Sequence, residues 1–194
     1  MPVTDLLARW NDGDVSARDE LFARMYQELR EIAEWQRRRW GGNHTMNTTA
    51  LVHELYEKLA GQAEVDIEDR THFNRLAGRA MRHILVDYAK KKSRKKRASD
   101  NEKVSLDDAD TGLLSTNQLD LILDVNQALY MLESLDDRMT RVVEMHFFAG
   151  LTYQEIGDAL GISKRSVSRD WTKARALLRR QFREASDAEE SPGA

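Results

Sequence analysis

The sequence predicts an all-α protein: two small helical domains joined by a flexible acidic linker, the C-terminal one containing a helix-turn-helix. Three observations predict this. Apolar residues recur at helical spacing through the long segments, and no strand-like alternation persists. The 194 residues include only two prolines and ten glycines, and 41% are hydrophobic, which suits packed helical cores. Charge is segregated behind a net value of −3. Seven of the eight residues 90–97 are basic, and residues 163–183 hold eight basic residues and one acid, Asp170. Residues 98–124 between them hold seven acids and one lysine. Two basic segments around an acidic stretch point to two contacts with a polyanion.

The elements follow in order. A first helix is predicted over residues 3–10, ended by the turn residues Asn11, Asp12 and Gly13. Ser16 is expected to cap a longer helix, in which Leu21, Met25, Leu29, Ile32 and Trp35 or Gln36 repeat on one face. That helix runs into Arg37, Arg38 and Arg39, cations that a helix C-terminus favours, and stops at Gly41 and Gly42. A loop over 43–48 leads to a third helix, 49–59, with Leu51, Val52, Leu55, Tyr56 and Leu59 apolar and His53, Glu54, Glu57 and Lys58 polar. After a polar connector, 61–70, a fourth helix is predicted over 71–97. Phe73, Leu76, Ala80, Ile84 and Tyr88 form its stripe; Arg75, Arg79, Arg82 and the later lysines face elsewhere. Aromatics among cations suit single-stranded nucleic acid, and rings on an apolar stripe equally suit a core.

Residues 98–117 lack periodicity and read as the linker. A second helical unit is expected from Gln118, with Leu121, Ile122, Val125, Leu129 and Leu132 on one face. Ser134, Leu135, Asp136 and Asp137 form a cap-like start for a helix that Gly150 closes. Thr152 and Glu155 have the spacing of a capping box. Gly161 suits a left-handed helix end, and Ser163 stands where the next helix needs a cap. That last helix carries Val167, Trp171, Ala174 and Leu178 on one face. Its other faces carry Lys164, Arg165, Ser166, Ser168, Arg169, Thr172 and Lys173. An apolar seam opposite a basic, hydroxyl-bearing face, entered through a glycine turn, is a helix-turn-helix signature. An ordinary helical hairpin with a solvated basic face is the alternative. The tail 186–194 is acidic and is expected to be disordered.

Composition excludes several classes. With no cysteine there is no disulfide and no thiolate metal site, which fits a reducing, cytoplasmic compartment. No apolar run is long enough for membrane insertion, and MPVTDLLARW has no signal-peptide core. The histidines are His44, His53, His72, His83 and His146; none forms an H-E-x-x-H pair, and no nucleophile elbow occurs. No enzyme, metal or cofactor is expected.

The run LDDRMTRVVEMHFFAGLTYQEIGDALGISKRSVSRDWTKARALL, residues 135–178, closely resembles the promoter-reading C-terminal domain of bacterial sigma factors, most of all the extracytoplasmic-function (ECF) type. LVHELYEKL at 51–59 is similar to the family helix that docks on the coiled coil of the RNA polymerase largest subunit. RLAGRAMRHILVDYAKKK at 75–92 resembles the helix that opens and reads the −10 element. The resemblance spans roughly residues 15–183, with no further regulatory domain expected after it. It implies a transcription initiation factor with domains at 1–97 and 118–185. Polymerase would be met by Leu51, Val52, His53, Glu54, Leu55, Tyr56 and Glu57. The −10 strand would be met by Asn74, Arg75, Arg79, Arg82 and His83, with phosphates near Lys90, Lys91 and Lys92. The −35 duplex would be met by Lys164, Arg165, Ser166, Ser168, Arg169, Thr172 and Lys173. An anti-sigma factor is a further implied partner. The loop 41–48 and the connector 61–70 differ from many members, and Asp170 stands where many carry a base. Asp170 could accept from a cytosine amine or pair with a neighbouring cation. A stand-alone helix-turn-helix repressor or activator is the rival reading; it requires dimers on a palindrome.

Overall fold

A computed structural model describes the backbone of residues 1–39, 47–61, 66–99 and 116–189, and side chains over most of these spans. Among the described residues the regular structure is helical throughout. Helix α1, Val3–Asn11, buries Leu6, Leu7 and Trp10. Gly13 turns the chain at a φ of 89°. Asp14, rather than Ser16, caps α2, Val15–Arg39: its Oδ1 accepts from the N–H groups of Ser16 and Ala17 at 2.9 and 3.2 Å. Those bonds, with the Ser16 hydroxyl and Arg9, hold its carboxyl well below the usual range. Asn47 caps α3, Thr48–Ala60, by accepting from Ala50 N–H at 2.7 Å.

Residues 66–69 lead into α4, Arg70–Ser99. Asn11 pins this lead by both donating to the Ile67 carbonyl and accepting from its N–H, each at 3.1 Å. Helices α1 to α4 close over one core. In it Phe22 and Phe73 meet edge-on at 5.8 Å, with Trp10 against both. Phe73 is therefore a core ring.

The C-terminal half comprises α5, Thr116–Leu135, α6, Asp137–Val143, a π-helical turn over Glu144–Phe148, α7, Tyr153–Leu160, and α8, Lys164–Glu189. Asp136 caps α6, accepting from Met139 N–H at 2.9 Å. The π turn is marked by the Ala149 N–H donating to the Glu144 carbonyl, five residues back, at 3.0 Å. Val142, Met145, Leu151, Ile156 and Val167 form a small core around α7. Ile122, Leu129 and Leu132 of α5, Phe148 and Ala174 join the core of the first four helices instead. The two halves thus share buried surface, with α5 lying between α4 and α8.

Three boundaries differ from the sequence reading. Ala98 and Ser99 continue α4, and Thr116 and Asn117 begin α5, so helix enters the expected linker from both sides. The rest of that linker, and the loop 40–46, lie outside the described residues. At the tail, α8 continues through residues 186–189, because nothing in that acidic run breaks a helix.

Candidate nucleic-acid interface

The turn between α7 and α8 is built by short-range chemistry. The Thr152 hydroxyl oxygen accepts from Glu155 N–H at 3.3 Å, and the Glu155 carboxylate accepts from Thr152 N–H at 2.8 Å. That capping box, with the Thr152 hydroxyl also donating, holds the Glu155 carboxyl below its ordinary range. Gly161 takes φ 64° and ψ 31°, the left-handed region that ends α7. The Ile162 N–H then donates to the Gly157 carbonyl at 2.9 Å. Gly157 itself has no room for a side chain, since a Cβ there would lie 2.7 Å from the Ile162 carbonyl oxygen. Ser163 caps α8, its hydroxyl oxygen accepting from Ser166 N–H at 3.1 Å. Ile156 and Val167, both fully buried, clamp the two helices.

This geometry exposes one end of α8. Lys164, Arg165, Arg169, Thr172 and Lys173 are exposed, and Ser166 and Ser168 are half-buried. The Thr172 hydroxyl donates back to the Ser168 carbonyl at 2.8 Å, which fixes its rotamer. Asp170 is different: it is only 2% exposed. Its carboxylate accepts from Arg138 Nε of α6 at 2.8 Å and lies 3.7 Å from Arg169 Nε. Of the two readings open for Asp170, pairing with neighbouring cations is the one realised. A carboxylate beneath two half-exposed arginines orients both and draws Arg138 to the edge of the basic face.

On α4, Arg75, Arg79 and Arg82 share one side, four and three residues apart. That side faces the C-terminal half. Arg82, 3% exposed, donates to Glu144 Oε1 at 3.0 Å and to Asn126 Oδ1 at 3.1 Å, and its guanidinium lies 5.3 Å from the Phe148 ring centre. Arg79 Nε lies 3.6 Å and Arg75 3.8 Å from the same Glu144 carboxylate. Burial pushes the Glu144 carboxyl up, and the three arginines oppose that shift. Burial likewise lowers Arg75 and Arg82 from their ordinary value. His83 is pushed down to about 4, by burial first and then by Arg82, so it is neutral near pH 7. Asn74 Oδ1 and His83 Nε2 are buried without a hydrogen-bond partner. Lys90 and Lys91 are exposed, and Lys92 lies 5.9 Å from the ring centre of half-buried Tyr88.

On α3 the apolar candidates turn inward. Leu51 and Leu55 are fully buried and Val52 is 5% exposed. Tyr56 packs edge-on against Phe22, accepts from Arg18 at 2.9 Å and donates to Asp19 at 2.8 Å. The surface that α3 leaves for a partner is therefore polar: His53, Glu54 and Glu57.

The sequence profile of the family described as "ECF sigma factor" matches residues 1–184. The chain belongs to the ECF sigma factor family. A search of curated proteins found no match. As an ECF sigma factor it serves transcription initiation and binds RNA polymerase and promoter DNA. No helix among the described residues is long and apolar enough to cross a membrane, and none of their His, Asp or Glu residues cluster as metal ligands.

In this ECF sigma factor the fold also places residues beside the candidate side chains that the sequence alone did not single out for a role. Arg138 lies 32 residues from Asp170, and Glu144 lies 62 residues from Arg82. Gln36 is 1% exposed and donates to the carbonyls of Gly78 at 2.8 Å and Phe148 at 3.1 Å. A polar residue inside the apolar stripe of α2 was the available signal for Gln36. For Glu144 the signal was an acid within the apolar run VVEMHFF.

Proposed function

We propose that this sigma factor reads the −35 element as duplex through α8 and the −10 element as melted single strand through α4, while the outer face of α3 meets the coiled coil of the polymerase largest subunit. The observation that carries this reading is the exposed basic end of α8, held rigid by the capping box, the glycine turn and the Ser163 cap. A helix end of this kind fits the major groove, where each good bidentate base contact is worth about 1–3 kcal/mol of discrimination. Lys164, Arg165, Arg169 and Lys173 supply charge for phosphates and purine edges. Ser166, Ser168 and Thr172 add hydroxyls. Arg138, oriented by Asp170, adds a cation beside them. On α4, Asn74, Arg75, Arg79, Arg82 and His83 serve the −10 strand, with Lys90, Lys91 and Lys92 on flanking phosphates. An anti-sigma partner belongs to this reading through the family resemblance alone.

Reconstitution tests the reading. Purified chain is mixed with bacterial RNA polymerase core and assayed for a stable complex and for promoter-dependent run-off transcripts. Arg169→Ala is expected to weaken −35-dependent transcription while core binding holds. Equal loss of both would show a folding defect or a wrong assignment. No complex, with dimeric binding to a palindrome, would instead establish a stand-alone regulator.

A further inference from the structure

The side of α4 that the −10 reading requires is partly covered, and most completely at Arg82. Arg75, Arg79 and Arg82 point at one carboxylate, and that carboxylate comes from the other half of the chain. Glu144 and Arg82 are each 3% exposed, so DNA cannot reach the Arg82 guanidinium around the carboxylate, while the Arg75 and Arg79 side chains keep 18% and 34% of their surface. The joint is closely fitted. A Cβ on Gly78 would meet Ala149 N at 3.0 Å and the Phe148 carbonyl carbon at 3.1 Å, so the α4 backbone sits directly on the end of the π turn. Gln36 bonds to both sides of this contact, and Trp35 Nε1 donates to the Phe147 carbonyl at 2.9 Å.

We propose that Glu144 acts as an intramolecular stand-in for the promoter strand: it holds the free factor closed over the −10-reading arginines, and the factor must open there before α4 can read DNA. The proposal rests on the −10 reading above. Its chemistry is that of exchange. Carboxylate and phosphate oxygens accept the same charge-assisted hydrogen bonds from guanidinium groups. A buried ion pair gains little over its separated, solvated partners, because desolvation offsets most of the attraction. The contact is also unbalanced. Three arginines converge on one buried carboxylate, with half-exposed Glu133 at 3.5 Å from Arg79, and Arg82 Nε has no acceptor at all. A polyanion answers that excess better than Glu144 does. Closing thus hides Arg82, engages Arg75 and Arg79, and is weak enough to yield.

The chain has no cysteine, so a cross-link can test this cleanly. A Cβ at position 78 would lie 3.1 Å from the Ala149 Cβ, a few tenths of an ångström inside the roughly 3.5–4.5 Å span of a disulfide, so the joint must ease by that much for the bond to form. Gly78→Cys with Ala149→Cys is expected to cross-link under diamide in the free protein. The oxidised factor is expected to lose promoter-dependent transcripts with polymerase core at least about tenfold, and dithiothreitol to restore them. Adding Glu144→Gln to the pair is expected to slow cross-linking about tenfold, the worth of one charge-assisted hydrogen bond. Glu144→Gln alone, with Gly78 and Ala149 intact, is expected to bind a fluorescent single-stranded −10 oligonucleotide from a mapped promoter about tenfold more tightly than the parent. Full activity of the oxidised factor would overturn the proposal. So would an unchanged cross-linking rate and oligonucleotide affinity in Glu144→Gln. A parent chain that makes no −10-dependent transcripts with cognate core would instead remove the −10 reading beneath it.

Discussion

Gly157→Ala is a substitution whose sign the structure decides. In the interior of a helix, alanine is favoured over glycine by about 0.8–1 kcal/mol, so α7 considered alone predicts a gain. The turn predicts the reverse. The new Cβ would lie 2.7 Å from the Ile162 carbonyl oxygen, about 0.7 Å inside the shortest ordinary contact of 3.4 Å. The obstacle is backbone, and Ile162 is fixed by its own N–H donating to the Gly157 carbonyl. Overpacking of this kind costs about 1–3 kcal/mol, which exceeds the propensity gain at all but its lower end. The expected net loss is therefore about 1 kcal/mol, within a range of about 0–2, with α8 displaced relative to α7. Urea unfolding followed by far-UV circular dichroism measures the first effect. Fluorescence anisotropy with a −35 duplex measures the second, with affinity expected to fall about tenfold. A variant that gains stability and binds the duplex unchanged would refute the reasoning, since it would show that the turn relaxes freely. Gly161 provides the contrast: a Cβ there meets nothing within 4 Å, and its positive φ alone sets the cost of replacement.

Two further outcomes are expected. Glu54→Lys reverses a charge on the exposed side of α3 while Leu51 and Leu55 keep the helix seated, so it should impair binding to polymerase core without changing helix content; unchanged affinity would remove α3 from that interface. His83 sets an acid limit on stability. Its folded pKa of about 4 lies below the ordinary 6.5, so between those values the folded chain binds fewer protons than the unfolded one. The stability this contributes is fully present above about pH 6.5 and is lost as pH falls toward 4. His72, also lowered by burial, acts in the same direction, and Glu144, raised by burial, acts in the opposite one. Urea midpoints at pH 7.5, 6 and 5 should therefore fall less steeply in His83→Gln than in the parent, and parallel profiles would exclude His83 as the cause.

What could be read from the sequence was local. The Thr152–Glu155 box, Gly161 and Ser163 each act on a group three residues away, and their roles follow from residue type and spacing. The apolar stripes of α2 and α4 were legible for the same reason, since each repeats along its own helix. The cap of α2 was misassigned because Asp14 and Ser16 are both capping residues two positions apart, and only the backbone distinguishes them. The arginines of α4 read as a free basic surface because nothing near them in the chain opposes them. Their partner arrives through a fold that joins positions 62 residues apart. The inward turn of Leu51, Val52 and Leu55 was undecidable for a related reason: a helix with apolar residues on one side serves a core and a partner equally well until its neighbours are known.

The π turn has a consequence for which changes of sequence can alter the joint between the halves. A five-residue hydrogen-bonded loop holds one residue more than an α-helical turn, so Glu144–Phe148 behaves as a one-residue insertion in the last turn that follows α6. Removing any one of those residues would restore α geometry and turn everything beyond it by about 100°, the angle of a single helical step. Point substitutions can adjust how tightly the halves grip one another, but only insertions and deletions can reset the angle at which they meet. In this stretch, then, length sets the geometry and residue identity only tunes it.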